Sequence, residues 1–401
     1  MRTSFAISRL ILSTLLPALL ALPGAAALAD PLYSVTLLGG TGSTATDINR
    51  WGDVVGNITS AGVTHGFLNA GGSYADLGTL GGATSNANGI NDARQIVGGS
   101  DNASGQFHAY LYGSGGMSDL GTLGGNRSEA FAINNAGTIV GDAGNGDPAT
   151  FGFGQAFSYA GGAMHTLGTL PGGLGSNAYA INQPGLVGGA SFEGPFTVPE
   201  YPFHAVLFSG GAVNKVGVSD IGDSAVYGLN DAGLAVGGLP STELAHGSHA
   251  FLYDHGALTD LGILDLTAPD DSIALDINNH GQIVGRAAVS VDPDHYGYHG
   301  FLWTGSGLVD LNTLIDPASG WVITDASGIN DASQIAATAC FGGVTGDCRA
   351  VRLDLVPAVP EPGSWAMLGL GLGLVGALKR RARGVPLSAA LVLPECCLSA
   401  A

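Results

Sequence analysis

Apolar residues in this chain recur at every second position in short runs, with glycine, asparagine, aspartate and serine clustered between the runs. A two-residue period with β-branched and aromatic residues on its apolar side predicts short antiparallel strands rather than helices. The runs also return in step. The phrase Ile-Asn-x-x-Gly-x-x-Val-Gly occurs seven times, at 48–56, 90–98, 133–141, 181–188, 229–237, 277–285 and 329–337. Its asparagines, Asn49, Asn91, Asn134, Asn182, Asn230, Asn278 and Asn330, are spaced 42, 43, 48, 48, 48 and 52 residues apart. That spacing matches a four-stranded propeller blade, a unit too small to bury its apolar face except by stacking on its neighbours.

Two more phrases keep the same beat. One is an apolar strand opening at His65, His108, Gln155, His204, His249, His299 and Arg349. The other is Asp-Leu-Gly-Thr-Leu-Gly-Gly, clearest at 76–82 and 119–125, with drifted copies around Val35, Leu167, Val216, Leu261 and Leu311. The Asn-x-x-Gly step has the residues of a type I turn, so each asparagine reads as a hairpin-turn residue. The repeat region opens on the second strand type (34–38) and ends on the first (349–355), so pairing the two ends would complete a blade and leave no open sheet edge. The expectation is an all-β, seven-bladed propeller of four-stranded antiparallel blades over residues 31–356, with an open β-solenoid as the alternative. A meander puts the Asn-x-x-Gly turns on one face. The Leu-Gly-Gly loops and the long connections 141–155, 190–204 and 287–299 fall on the other, the expected binding face.

Residues 249–253, 258–262 and 277–285 resemble the HAF repeat family of bacterial extracellular proteins, a likeness that runs over roughly four fifths of the chain. It weakens at Lys215-Val216-Gly217-Val218 and at Gln334-Ile335-Ala336-Ala337. The resemblance implies export and a repeat fold, and no known reaction.

Both ends carry addresses. Arg2 and Arg9, the apolar run 10–22 and Ala27-Leu28-Ala29 form a secretory signal peptide over residues 1–29, with cleavage expected after Ala29. Near the other end, Val359, Pro360, Glu361 and Pro362 precede the apolar stretch 365–378 and the basic residues Lys379, Arg380, Arg381 and Arg383. Residues 357–383 resemble a PEP-CTERM sorting signal, which implies processing by an exosortase in a Gram-negative producer of exopolysaccharide. The physics agrees: prolines break the chain, an apolar helix inserts, and basic residues hold its end in the cytoplasm. At about 1.5 Å per residue the apolar stretch alone falls short of a bilayer core of about 30 Å, so the three features together carry the expectation of a transmembrane helix. Export by the Sec route to the surface or beyond follows, with transient anchoring in the inner membrane. Residues 384–401, including Cys396 and Cys397, extend past the basic cluster and are expected to be disordered.

Composition narrows the partners. The formal charge is −19, and setting aside the two ends leaves seven basic against 30 acidic side chains between Ala29 and Val359, a charge of −23. Such a surface repels phosphate backbones, which argues against nucleic acid. Cys340 and Cys348 flank a glycine-rich loop and are expected to form a disulfide in an oxidising compartment, worth about 2–3 kcal/mol for so short a loop.

Catalytic and metal signals are weak. The histidines that open equivalent strands are spread around a ring and show no ligand spacing, so a structural hydrogen bond is the better reading. Residues 292–297 begin like a calcium loop but lack its bidentate glutamate; a weak calcium site at Asp270, Asp271, Asp292 and Asp294 is the only cofactor suggested. The sequence holds no nucleophile elbow, Walker loop or zinc-protease helix motif. The leading expectation is an exported, non-catalytic surface or matrix protein that binds exopolysaccharide or a protein partner through its variable-loop face. The alternative is a polysaccharide hydrolase or lyase, with Asp223, Asp270 and Asp294 as acidic candidates at the channel mouth.

Overall fold

The computed structural model describes residues 32–147, 153–194, 203–217, 223–240, 247–292 and 295–357. The expected signal helix, transmembrane helix and terminal tail lie outside them. Among the described residues no helix is long and apolar enough to cross a membrane.

The strands follow the repeat. After β1 (Tyr33–Leu37), the first blade is β2 (Ser43–Ile48), β3 (Val54–Ser60), β4 (Val63–Ala70) and β5 (Ser73–Asp76). The second is β6 (Gly81–Ile90), β7 (Ile96–Asn102), β8 (Phe107–Gly113) and β9 (Gly116–Asp119), and the third β10 (Ser128–Ile133), β11 (Ile139–Ala143), β12 (Gln155–Ala160) and β13 (Ala163–Thr166). The fourth is β14 (Ser176–Ile181), β15 (Val187–Phe192), β16 (Phe203–Ser209) and β17 (Ala212–Lys215), and the fifth β18 (Ala225–Leu229), β19 (Ala235–Pro240), β20 (Ser248–Asp254) and β21 (Ala257–Gly262). The sixth is β22 (Ser272–Ile277), β23 (Ile283–Asp292), β24 (His295–Trp303) and β25 (Leu308–Asp310), and the last three strands are β26 (Trp321–Ile329), β27 (Ile335–Phe341) and β28 (Asp347–Leu355). Each blade is an antiparallel meander, and the seventh runs β1-β28-β27-β26. The chain's first strand is thus the outer strand of its last blade: Leu38 N donates to Ala350 O at 2.9 Å, and Ser34 Oγ to Asp354 O at 3.3 Å. The ring is closed, as the order of the end segments predicts.

Close packing explains the Val-Gly of the repeat. A Cβ on Gly56, Gly98, Gly141, Gly237 or Gly285 would lie 1.8–2.1 Å from a carbonyl of the inner strand and 2.8–3.0 Å from the aromatic ring of the third strand, Phe67, Tyr110, Phe157, Phe251 or Phe301. Those rings are fully buried. The register corrects one copy. Ala178 pairs with Gly189, as Ala130 pairs with Gly141, so Gly189 and not Gly188 ends the fourth phrase. Gly188 instead makes room for Val226 of the next blade.

Serines stitch blade to blade. Ser43, Ser85, Ser128, Ser176, Ser224 and Ser272 each accept a backbone amide of the preceding blade's third strand at 2.8–3.1 Å. Five of them also donate to a glycine carbonyl of the incoming loop, for example Ser85 to Gly78 O at 2.6 Å and Ser272 to Gly262 O at 2.6 Å. A buried hydroxyl must satisfy both capacities, and here they join two different segments of the neighbouring blade.

Candidate binding face and central channel

The innermost strand of every blade carries a β-bulge at the same place, so that Thr46, Asn88, Phe131, Tyr179, Tyr227, Leu275 and Ser327 are the extra residues. A bulge re-aims a side chain. All seven line one cavity of about 370 Å³ in the central channel, together with Asp47 and Asp276. On blades three to five the wall is aromatic, with centroids of Phe131 and Tyr179 5.2 Å apart and of Tyr179 and Tyr227 5.3 Å apart. On the remaining arc, Leu275 aside, it is polar and acidic.

Asp47 accepts the amides of Ile48 and Ile90 at 2.7 and 2.8 Å, and Asp276 those of Ile277 and Ile329, both at 2.8 Å. Each thus ties its own blade to the next. Burial, with the charge of Asp276 adding, pushes Asp47 up to about 7 in spite of those bonds. Burial likewise raises Asp276 to about 6.

On the turn face two rings of hydrogen bonds rim the channel. In the first, the side-chain amide of each repeat asparagine donates to the backbone carbonyl of the next one, from Asn49 to Asn91 and onward, and Asn330 returns to Asn49; the seven bonds measure 2.9–3.3 Å. Each Oδ1 meanwhile accepts amides within its own turn, as Asn49 does from Trp51 and Asp53, both at 3.0 Å. The turn role was readable in the sequence. The bond to the neighbouring blade was not.

The second ring uses the next residue along. The backbone amides of Arg50, Asp92, Asn135, Gln183, Asp231 and Asn279 donate to the side-chain oxygens of Asp92, Asn135, Gln183, Asp231, Asn279 and Asp331 at 2.8–3.1 Å. It stops between Asp331 and Arg50, because arginine has no acceptor.

The opposite face carries the incoming loops and the long connections. Of connection 287–299, read from sequence as a variable loop, residues 287–292 and 295–299 extend β23 and β24, which pair from Ile283↔Trp303 to Asp292↔His295. This hairpin and the loop of blade seven border a cleft of about 260 Å³ lined by Arg286, Tyr296, Tyr298, Asp325, Val344 and Thr345 among others. Tyr296 and Tyr298 are 57% and 40% exposed. Arg286 sits 5.2 Å from the Tyr298 ring centre and 3.4 Å from the Asp325 carboxylate, whose pKa burial raises against the pull of that guanidinium. The loop's base is fixed by the Cys340–Cys348 disulfide, which joins directly paired residues of β27 and β28.

The remaining candidate residues are dispersed. Asp270 pairs with His249, Asp271 accepts from Tyr298 Oη at 2.7 Å, and Asp292 pairs with His295 Nδ1 at 2.8 Å. Asp223 accepts the Phe203 amide at 2.8 Å. Among the described residues no three histidines, cysteines or carboxylates come together as a metal site. Asp294, Ala29, Val359, Pro360, Glu361, Pro362, Arg380 and Arg381 lie outside the described residues. Of the strand-opening histidines, His65, His108, His249 and His299 each bond through Nδ1 to the aspartate 11 residues on, Asp76, Asp119, Asp260 and Asp310. That bond raises the His65 pKa. Burial pulls His249 down, but Asp260 and Asp270 together leave it above its ordinary value.

Comparison with known proteins adds an address. Residues 358–383 match the PEP-CTERM protein-sorting motif. The chain is therefore an exported propeller sorted to the cell surface, and signals of this type are processed by an exosortase. Its fold is similar to the β-propeller domain of the Trilobed protease from Pyrococcus furiosus, at 8% identity over 79% of this chain and 94% of that one, with a TM-score of 0.50. That domain is described as having an open velcro topology, whereas here β1 closes the ring. Weaker likenesses are to oligogalacturonate lyase from Vibrio parahaemolyticus (11% identity, 83% and 95% of the two chains, TM-score 0.43) and TolB from Acinetobacter baumannii (12%, 53% and 52%, 0.39). At 8% identity the likeness to the first of these shows the fold alone. No curated protein matches the chain.

Proposed function

We propose that this protein is a non-catalytic surface component that binds extracellular polysaccharide on its variable-loop face, at the cleft between the blade-six hairpin and the loop of blade seven. The observation that carries this reading is the pairing of two exposed tyrosine rings with Arg286 and Asp325 around one cleft. Sugar rings present an apolar face that covers aromatic surface and an edge of hydroxyls that hydrogen-bond to charged and amide groups, so such a mixture suits them. The sorting motif supports it as the address of an exported, surface-sorted protein. The rigid ring beneath supplies a fixed platform, and the disulfide holds the loop that forms one side of the cleft.

Binding of the purified exported protein to polysaccharide from its own host, measured by calorimetry or a glycan array, tests the proposal. Tyr298→Ala is expected to weaken binding at least about tenfold, or about 1.4 kcal/mol. Release of reducing ends or unsaturated sugars during the incubation would replace the binding role with an enzymatic one. Wild-type affinity in Tyr298→Ala would move the site elsewhere.

A further inference from the structure

The central channel is a separate site from that cleft, and its chemistry is different. Its wall is divided: Phe131, Tyr179 and Tyr227 form an aromatic arc, and the remaining arc offers Asp47 and Asp276. The negative faces of aromatic rings and the two carboxylates in their ionised form favour the same partner, a positive charge. Each carboxylate oxygen accepts one backbone amide and has a second lone pair. The turn-face mouth adds Asp92, Asp231 and Asp331 against a single basic residue, Arg50. In a channel with low-dielectric walls such an excess of one sign focuses counter-ions inward.

We propose that the channel binds a small organic cation with a primary ammonium group, its body against Tyr179 and Tyr227 and its charge toward Asp47 and Asp276. A bare metal ion fits less well, because the aromatic arc offers it no ligands. An anionic sugar would meet the same acids that attract a cation. A cavity of about 370 Å³ suits a ligand of one or two rings or a short chain. The ammonium group has two ready sources, a free amine and an amino sugar, and they share the recognition chemistry.

Calorimetric titration of the purified exported protein with putrescine, glucosamine, N-acetylglucosamine and glucuronate tests this inference. At least one of the two amines is expected to bind, and acetylation of the amine or its replacement by a carboxylate is expected to cost about tenfold or more. Binding of glucosamine alone assigns the amine to a glycan; binding of putrescine alone assigns it to a free amine. Tyr179→Leu and Asp276→Asn should each weaken the amine about tenfold, with folding checked by circular dichroism. Tyr179→Leu serves even if Asp276→Asn fails to fold, since the ring is partly exposed to the channel. Tyr298→Ala, in the outer cleft, should leave amine binding unchanged. The inference fails if neither amine binds, if N-acetylglucosamine binds as well as glucosamine, or if Tyr179→Leu binds the amine like the wild type. None of these outcomes bears on polysaccharide binding at the outer cleft.

Discussion

The side-chain amide of Asn330 donates to the backbone carbonyl of Asn49 at 3.0 Å across 281 residues of sequence, and this bond closes a ring of seven identical contacts. Each of these asparagines does two jobs with one side chain. Its oxygen organises its own turn, and its nitrogen holds the next blade.

Replacing Asn330 by alanine removes both roles: the amides of Ala332 and Gln334 lose their acceptor, and the Asn49 carbonyl keeps only its bond from the Gly52 amide. The expected loss is about 1–2 kcal/mol, from hydrogen bonds lost at partly buried groups. Asn330→Asp keeps the acceptor for the turn but loses the donor, so it separates the two roles. Urea denaturation of both variants checks this; equal midpoints to wild type would show that the ring carries no stability.

The disulfide between Cys340 and Cys348 links the second and third strands of the closing blade. Changing both to alanine is expected to lower stability by about 2–3 kcal/mol. Dithiothreitol should lower the wild-type melting temperature and leave that of the double variant where it was. Differential scanning calorimetry with and without reductant gives the answer.

Stability should also depend on pH through the channel acids. Asp47 and Asp276 titrate near 7 and 6 in the folded chain, against an ordinary 3.8. The folded state therefore binds more protons than the unfolded one between about pH 4 and 7, so this contribution is whole below pH 4 and is lost as pH rises through the window. Urea midpoints at pH 4.5 and 7.5 should differ less in an Asp47→Asn, Asp276→Asn double variant than in wild type. His65 and His249, raised as well, add a slope of the same sign at higher pH.

Ala61 stands at a φ of 52° in the tight turn between β3 and β4, a left-handed conformation that costs an alanine about 1 kcal/mol. Its neighbour Gly62 also has positive φ, the geometry for which Asn-Gly is the preferred pair. Ala61→Asn is expected to stabilise the protein by about 0.5–1 kcal/mol, read as a higher melting temperature. A lower one would mean that the exposed turn makes contacts the alanine serves.

Much of this architecture was legible in the residues. Blade number came from the spacing of seven asparagines, and ring closure from the order of the first and last strands. What stayed hidden depended on contacts between repeats. Asn49 and Asn91 are 42 residues apart, and nothing in either turn announces a bond between them. The channel wall was hidden for a different reason. Thr46, Phe131, Tyr179 and Leu275 occupy a position where the repeat has no fixed residue, and only the bulge shows that this variable position is the one aimed inward. The pairing of 287–292 with 295–299 is hard to read because Asp292, Pro293 and Asp294 have the composition of a loop, whereas Val289 and Val291 carry the strand alternation up to Asp292.

Because β1 is hydrogen-bonded to β28, the earliest of the described strands keeps an unmatched edge until the latest of them has been made. The interval before that edge is covered is when the molecule is most open to pairing with the wrong partner, and it lengthens with everything that delays the arrival of residues 347–355.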